Sequence, residues 1–179
     1  MFQRIETARL ILRKPIHADA ENIFHRYSGD PEVTRLVAWP RHTSIAATRA
    51  FLDFCDAAWA QWPAGPYLIE SREDSYLLGS TGLAFESREC AMTGYVLAKD
   101  SWGNGYATEA LRAMVELAGK LRVHRLYAHC HPENLASRRV LEKAGFTIEG
   151  GKPEHAIFPN ISPQAVSDVL SYAHISSDT

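Results

Sequence analysis

A glycine-bearing turn in the second half of the chain carries the residues best placed to do chemistry. It runs from Trp102 through Gly103, Asn104 and Gly105 into a helical segment that begins at Tyr106. Glycine permits the positive φ angles that turn successive backbone N–H groups toward one point. The helix leaves its first N–H groups without acceptors, and its dipole adds positive potential there. The turn therefore predicts a binding site for phosphate oxygens.

Two other interpretations of this turn have to be weighed. Glycines also occur in a plain strand-to-helix connection that binds nothing. A dinucleotide-binding turn starts with the same Gly-x-Gly, but its third glycine position here holds Thr108. About 20 residues further on, where such a site needs an acidic residue, the chain reads His124-Arg125-Leu126. The sequence therefore disfavours a dinucleotide site.

A second polar pattern opens the next predicted helix. Asn134 is a good N-cap, and Ser137 falls in the first helical turn. Gly145 follows the last turn, where Leu141 can contact Phe146 across the cap. Capping alone explains Asn134, so a chemical role for this pair needs further support.

The turn, written Trp102-x-x-Gly105-x-Ala107, and the later Asn134-x-x-Ser137 together resemble the GNAT superfamily of acyl-CoA-dependent N-acyltransferases. Tryptophan in the first position is similar to the subgroup that acetylates ribosomal-protein N-termini. The resemblance implies a transferase that moves an acetyl group from acetyl-CoA to a primary amine.

The resemblance spans about Glu6 to Tyr172 and implies one domain over residues 1–179. The implied fold is α+β: a mixed, mostly antiparallel central sheet with helices on both faces, splayed between predicted strands 4 and 5. Those strands are Cys90 to Leu97 and Arg125 to Cys130.

The resemblance also assigns the residues that would hold acetyl-CoA. The pantetheine arm would pair with backbone of strand 4, the pyrophosphate would lie on the turn, and Asn134 would flank the arm. The strand and turn residues are Val96, Leu97, Ala98, Trp102, Gly103, Asn104, Gly105, Tyr106, Ala107 and Thr108. Ser137 would lie near the sulfur as a proton donor to the leaving thiolate, and the Leu97 N–H would stabilise the oxyanion.

The general base is the weak point of this assignment. Many members of the family carry a Glu two residues before the Gly of the Gly94-Tyr95 strand, where this chain has Met92. Glu86 and Glu89 are substitutes, although exposed glutamates are common at surfaces. His131 is the stronger candidate because it ends the strand that lines the cleft and because imidazole is the side chain best suited to accept a proton near neutral pH.

The missing carboxylate bears on the acceptor. A lysine-like amine with a pKa of about 10.4 is neutral in fewer than about one in a thousand copies at pH 7, whereas an α-amino group is neutral in roughly one in ten. We therefore expect a protein or peptide N-terminus or an amino acid. A small amine, such as an antibiotic or metabolite, and a non-catalytic acyl-CoA-binding module are the alternatives. Trp39 to Thr43 and Phe158 to Pro163 would form the acceptor wall.

Composition excludes several other classes. The 179 residues are 46% hydrophobic and carry a net charge of −2 without a basic stripe, so no nucleic-acid partner is expected. Cys130 lies between His129 and His131, but adjacent strand side chains point to opposite faces, so no metal is expected. The scattered cysteines, the charged N-terminus and the lack of a long apolar run predict a cytoplasmic protein off the membrane. We expect a monomer or a homodimer, although no residue pattern decides between them.

Hydrophobic periodicity predicts the elements that position these residues. The predicted order is β-α-α-β-β-β-α-β-α-β-β, which is typical of an α+β sheet rather than a doubly wound one. Predicted strands cover residues 10–13, 67–70, 76–85, 90–97, 125–130, 146–149 and 167–175. Predicted helices cover about 17–28, 45–62 (with Ser44 as N-cap), 106–121 and 135–144.

Overall fold

A computed structural model describes residues 2–175. These residues form a sheet of eight strands in the order β1-β2-β3-β4-β5-β6-β8-β7. All neighbouring strands are antiparallel except β5 and β6, which are parallel. The strands are β1 (Arg4–Glu6), β2 (Leu10–Arg13), β3 (Pro66–Ser71), β4 (Leu77–Phe85), β5 (Cys90–Leu97), β6 (Arg125–Cys130), β7 (Thr147–Ile157) and β8 (Val166–Ile175).

Helices cover both faces of this sheet, as predicted. The helices are α1 (Ala20–Ile23), α2 (Ile45–Gln61), α3 (Tyr106–Lys120) and α4 (Leu135–Lys143). Leu97 packs with α3 and α4 in one core, while its neighbour Val96 packs with α1 and α2 in the other. Alternation along β5 therefore divides the interior into two cores. The α+β architecture is confirmed.

The apolar stripe of α3 is buried as predicted. Leu111 and Met114 have no exposed surface, and Leu117 has 2%. Burial of each such side chain contributes about 1.5–3 kcal/mol. This packing fixes the helix whose N-terminus meets the glycine turn.

The predicted caps of α4 are also confirmed. The Asn134 side chain accepts a hydrogen bond from the backbone N–H of Ser137 at 3.0 Å. At the other end, Gly145 has a φ of 91°. The N–H of Phe146 donates to the carbonyl of Leu141 at 3.0 Å, which closes a Schellman-type end.

The prediction for β7 was wrong in length. We expected a strand from Phe146 to Glu149 followed by a Pro-containing connection, but the strand runs from Thr147 to Ile157. Pro153 is tolerated because β7 is an edge strand whose register with β8 shifts between Lys152 and Ala156. A missing N–H therefore costs no ladder hydrogen bond there.

The helical region before β3 also differs from expectation. The segment 17–28 is not one regular helix, because a 3-10 turn (His17–Asp19) precedes α1 and a π-helical turn (Phe24–Ser28) follows it. In α2 the buried residues are Thr48, Leu52 and Cys55, whereas Phe54 is 60% exposed. Thr48 can be buried because its hydroxyl bonds to Nδ1 of His42 at 2.9 Å.

No helix between residues 2 and 175 is long and apolar enough to cross a membrane.

The ion pair between Arg125 on β6 and Glu149 on β7 predicts how the stability of the fold depends on pH. Arg125 donates to both carboxylate oxygens of Glu149 and lowers the pKa of Glu149 from 4.5 to about 2. A depressed folded-state pKa contributes stability that is present above pH 4.5 and is lost as pH falls toward 2. Glu149→Gln should therefore lower the melting temperature near neutral pH, and the difference from wild type should shrink on acidification. Thermal unfolding across pH measures it, with exposed Glu116→Gln as control; a pH-independent difference contradicts the assignment.

Candidate active site

The central feature of the site is a gap between β5 and β6. The two strands pair only where Cys90, Ala91 and Met92 face Arg125, Leu126 and Tyr127. Beyond these residues β5 continues to Leu97 and β6 continues to Cys130, but the two strands no longer pair with each other. The sheet is therefore splayed between the fourth and fifth predicted strands, as expected, and opens an edge that an extended ligand can pair with.

The orientation of the β5 backbone decides which residues face this gap. The N–H of Ala98 donates to the carbonyl of Leu78 at 2.8 Å, so the peptide groups of Ala98 and Val96 point toward β4. Alternation directs the groups of Leu97 and Tyr95 into the gap. The Leu97 carbonyl already accepts from Nε1 of Trp102 at 2.9 Å. Of the three predicted backbone partners, Leu97 is the one that offers its N–H to the gap.

The glycine turn has the geometry of an anion cradle. Gly103 and Gly105 have φ angles of 76° and 78°, in the left-handed region that favours glycine. Gly105 precedes α3 without any side-chain cap, so the first N–H groups of the helix remain available. The Asn104 side chain donates to the carbonyls of Ser101 and Trp102 at 3.3 and 3.0 Å, which holds the turn together. The turn fits a pyrophosphate.

An anchor for this turn was missed by sequence reasoning. Arg9 donates to the carbonyl of Asn104 at 2.9 Å and to Glu109 at 2.7 Å. Glu109 also accepts from the Thr7 hydroxyl at 2.6 Å. Burial opposes the charge on Glu109, but the hydrogen bonds from Thr7 and Arg9 outweigh it and lower its pKa. The sequence alone assigns no role to Thr7 or Arg9, because no local pattern links them to a residue a hundred positions away.

Ser137 lies on the α3–α4 side of the gap, against β5. The Ser137 hydroxyl is close enough to Tyr95 to favour ionisation of its phenol, but burial outweighs this effect and raises the pKa of Tyr95. Tyr95 therefore keeps its proton at neutral pH. Cys130 lies on the same side, and burial raises the pKa of its thiol to about 11. The structure thus brings two hydroxyl groups together here, and the sequence analysis had considered only one.

The opposite side of the gap carries the other candidates. Met92 is 39% exposed there and pairs with Tyr127. The Tyr127 hydroxyl donates to Glu86, and this hydrogen bond lowers the pKa of Glu86. Glu86 is therefore a weak base. Glu89 is exposed in the turn before β5, at the closed end of the gap.

His131 follows the end of β6. The backbone N–H of Glu133 donates a hydrogen bond to Nδ1 of His131 at 3.2 Å. The imidazole ring packs against Phe158, with ring centroids 4.7 Å apart. Among the His, Cys, Asp and Glu side chains that the structure describes, no group of three is arranged to hold a metal ion.

One side chain joins the two segments that are predicted to form the acceptor wall, Trp39 to Thr43 and Phe158 to Pro163. Asn160, between β7 and β8, donates to the carbonyls of Thr34 and Trp39 at 2.7 and 2.9 Å. Its carbonyl accepts the N–H of Arg41 at 2.8 Å. The ring of His42 lies beside Trp39, with centroids 5.5 Å apart. The connections before α2 and before β8 therefore form one wall over the face that carries Met92.

Comparison with known proteins agrees with this geometry. The family model described as "Acetyltransferase (GNAT) domain" matches residues 9–147. An uncharacterized N-acetyltransferase of Bacillus subtilis, YoaA, is 35% identical over 154 residues, covering 84% of this chain and 86% of its own. Another from the same organism, YnaD, is 41% identical over 148 residues, covering 82% and 84%.

Solved structures share the fold. A GNAT-family acetyltransferase from Bacillus anthracis superposes with a TM-score of 0.82 at 25% identity, covering 96% of this chain and 98% of that one. RimL, a ribosomal L7/L12 alpha-N-protein acetyltransferase in complex with coenzyme A, gives 0.84 at 21%, covering 96% and 97%. The microcin C7 self-immunity acetyltransferase MccE, in complex with acetyl-CoA and AMP, gives 0.86 at 19%, covering 98% of both chains. The chain belongs to the GNAT family of acetyl-CoA-dependent N-acetyltransferases.

Proposed function

We propose that this enzyme acetylates an α-amino group, at a protein or peptide N-terminus or on an amino acid, by direct attack within a ternary complex. The observation that carries the proposal is the uncapped turn at Gly103 and Gly105, set at the open end of the gap between β5 and β6. Such a turn binds the pyrophosphate of acetyl-CoA, and the gap then receives the pantetheine arm along Leu97 and Tyr95.

The two faces of the sheet divide the reaction between them. A neutral amine approaches from the face of Met92 and attacks the thioester carbonyl, whose oxygen accepts the N–H of Leu97 as it becomes an oxyanion. The N–C bond forms, the C–S bond breaks, and the thiolate departs on the face of Ser137 and Tyr95, where a hydroxyl supplies its proton. Little acid help is needed, because a thiol has a pKa of about 8.5. Holding both substrates together supplies most of the rate.

Two points favour an α-amino group over a lysine-like amine. The carboxylate that would deprotonate a strongly basic amine is absent at Met92, and Glu86 is engaged by Tyr127. An α-amino group is already neutral in roughly one in ten copies at pH 7. The fold similarity to RimL, a protein acetyltransferase, is consistent with a peptide acceptor.

A small amine is the second candidate. Trp39 and His42 stand on the wall tied by Asn160, and flat aromatic surfaces suit a compact ring-bearing substrate. MccE, an immunity enzyme with AMP bound, shares the fold.

A panel of matched acceptors tests the proposal. One peptide has a free N-terminal alanine and no lysine, and its partner has the same sequence with a blocked N-terminus and one added lysine. With acetyl-CoA near neutral pH, mass spectrometry should find the acetyl group on the first peptide and not on the second or on spermidine. Thermal shift with acetyl-CoA, against NADH and ATP, checks binding separately. Acetylation of spermidine with the free-N-terminus peptide inert contradicts the proposed acceptor.

The glycine turn gives a second prediction. Gly105→Ala forces a side chain into a φ of 78°, where the new Cβ would lie 3.5 Å from Arg9 Nη2. This costs about 1–2 kcal/mol and shifts the N–H groups of the cradle. We expect the Kd for acetyl-CoA by calorimetry to rise about tenfold, equivalent to ~1.4 kcal/mol. Gly119→Ala, in the last turn of the same helix with open space around it, is the matched control and should leave the Kd unchanged. Equal affinities in both variants would place the pyrophosphate elsewhere.

Ser137 and Tyr95 give a third prediction. The cap of α4 uses the backbone N–H of Ser137, so Ser137→Ala removes the hydroxyl without removing the cap. We expect an unchanged melting temperature and a kcat lowered by about tenfold at most, since thiolate is a good leaving group. Tyr95→Phe tests the other hydroxyl of the pair in the same assay. Full turnover in both single variants and in the double variant would show that neither donates the proton.

A further inference from the structure

His129 is a titratable side chain at the gap that the reaction described above does not use. It lies two residues beyond Tyr127, the last residue of β6 that pairs with β5. Because side chains alternate along a strand, His129 and Tyr127 share a face. Their rings are in contact, with centroids 5.1 Å apart. His129 therefore stands where the gap opens, on the side from which the amine approaches.

The position across the gap from His129 offers space. If β5 and β6 stayed in the register that pairs Met92 with Tyr127, the partner of His129 would be Gly94. A Cβ added at Gly94 would meet no heavy atom within 4 Å. The acceptor face is therefore open at Gly94, and a substrate amine standing there reaches the buried Nε2 of His129 once the imidazole or the His155 ring beside it moves.

The imidazole has a nitrogen without a partner. Nε2 of His129 is buried and forms no hydrogen bond with the residues whose side chains are described. Leaving a buried polar atom unpaired costs about 1–3 kcal/mol, and such atoms are rare in folded proteins. The ring of His155 packs edge-on against the imidazole, with centroids 4.9 Å apart. A hydrogen bond from a bound substrate would satisfy this nitrogen.

The surroundings of His129 keep the imidazole neutral. Burial lowers its pKa below the ordinary value of 6.5, and the positive charges of Lys152 and His155 act in the same direction. Glu149 and Glu86 oppose them without reversing the shift. The titratable groups that face His129 are Glu86 before β5, Tyr127 on β6, and Glu149, Lys152 and His155 on β7.

The other candidate bases are already engaged. Nδ1 of His131 accepts the N–H of Glu133, so the proton of the neutral ring sits on Nε2 and that nitrogen is a donor. Glu86 accepts from Tyr127 and from the Cys90 thiol. The accepting atoms of both groups already have a hydrogen-bond donor, whereas Nε2 of His129 has no partner among the side chains that the structure describes.

We propose that His129 is the general base of the acetyl transfer. As the N–C bond forms, Nε2 of His129 takes the proton that the amine nitrogen loses, while the departing thiolate receives its proton on the opposite face. This assignment rests on the acetyl transfer proposed above, and it supplies the group that is missing at Met92.

The test is the pH dependence of kcat/KM with the free-N-terminus peptide. Two deprotonations, of His129 and of the amine, give a slope of two in log kcat/KM below the pKa of His129. Between that pKa and the pKa of the amine the slope is one. His129→Gln should remove the lower inflection, leave a slope of one throughout, and reduce kcat by about 10²-fold or more. The Kd for acetyl-CoA should not change. The variant His131→Gln is the control and should keep the inflection, whereas His155→Gln should keep it but move it to higher pH, because His155 is one of the groups that lower the pKa of His129.

A second measurement does not depend on folding of the variant. NMR titration of the wild-type imidazoles should give His129 a pKa equal to the lower inflection, since kcat/KM reports groups of the free enzyme. A wild type that turns over with a single slope of one, or a His129→Gln variant that keeps both the inflection and kcat, overturns the base assignment alone. A wild type that binds acetyl-CoA but acetylates no amine in the panel overturns the proposed function, and the base assignment with it.

Discussion

The structure depends on the interruption of one strand pairing. β5 and β6 share three residue pairs and then diverge, which leaves backbone groups of Tyr95 and Leu97 without a strand partner in the middle of a sheet. An unpaired backbone edge is costly when it is buried and useful when a ligand completes it. The surrounding elements hold the gap open: α3 and α4 pack on one side, α1 and α2 on the other, and the indole of Trp102 ties the end of β5 to the glycine turn.

Alternation along the two divergent strands also keeps the two proton transfers apart. On β5, Tyr95 lies on the α3–α4 face of the sheet and Met92 lies on the acceptor face. On β6, Cys130 lies on the α3–α4 face and His129 lies on the acceptor face. The proposed donor to the thiolate and the proposed acceptor from the amine therefore stand on opposite faces.

Local signals allowed most of this arrangement to be predicted from sequence. The glycine turn, the caps of α4 and the stripe of α3 each depend on neighbours within a few positions, and the structure has all three. The failures involve choices made by distant partners. β7 continues past Pro153 because it lies at the sheet edge, where its pairing with β8 shifts register. Arg9 and His129 acquire their surroundings from Glu109 and His155, which no local pattern connects to them.

Asn160 has a consequence for how acceptor preference changes within such a fold. Its amide reaches three backbone groups of the connection between α1 and α2, at Thr34, Trp39 and Arg41, while its own backbone belongs to the connection between β7 and β8. These hydrogen bonds are made to backbone groups and do not depend on the side chains of the residues that they hold. Side chains on either connection can therefore change while the hydrogen bonds of Asn160 remain. The lengths of the two connections, however, are constrained together. An insertion in one would draw Asn160 away from the other, so grafting an acceptor pocket from a relative requires both segments to be moved as a unit.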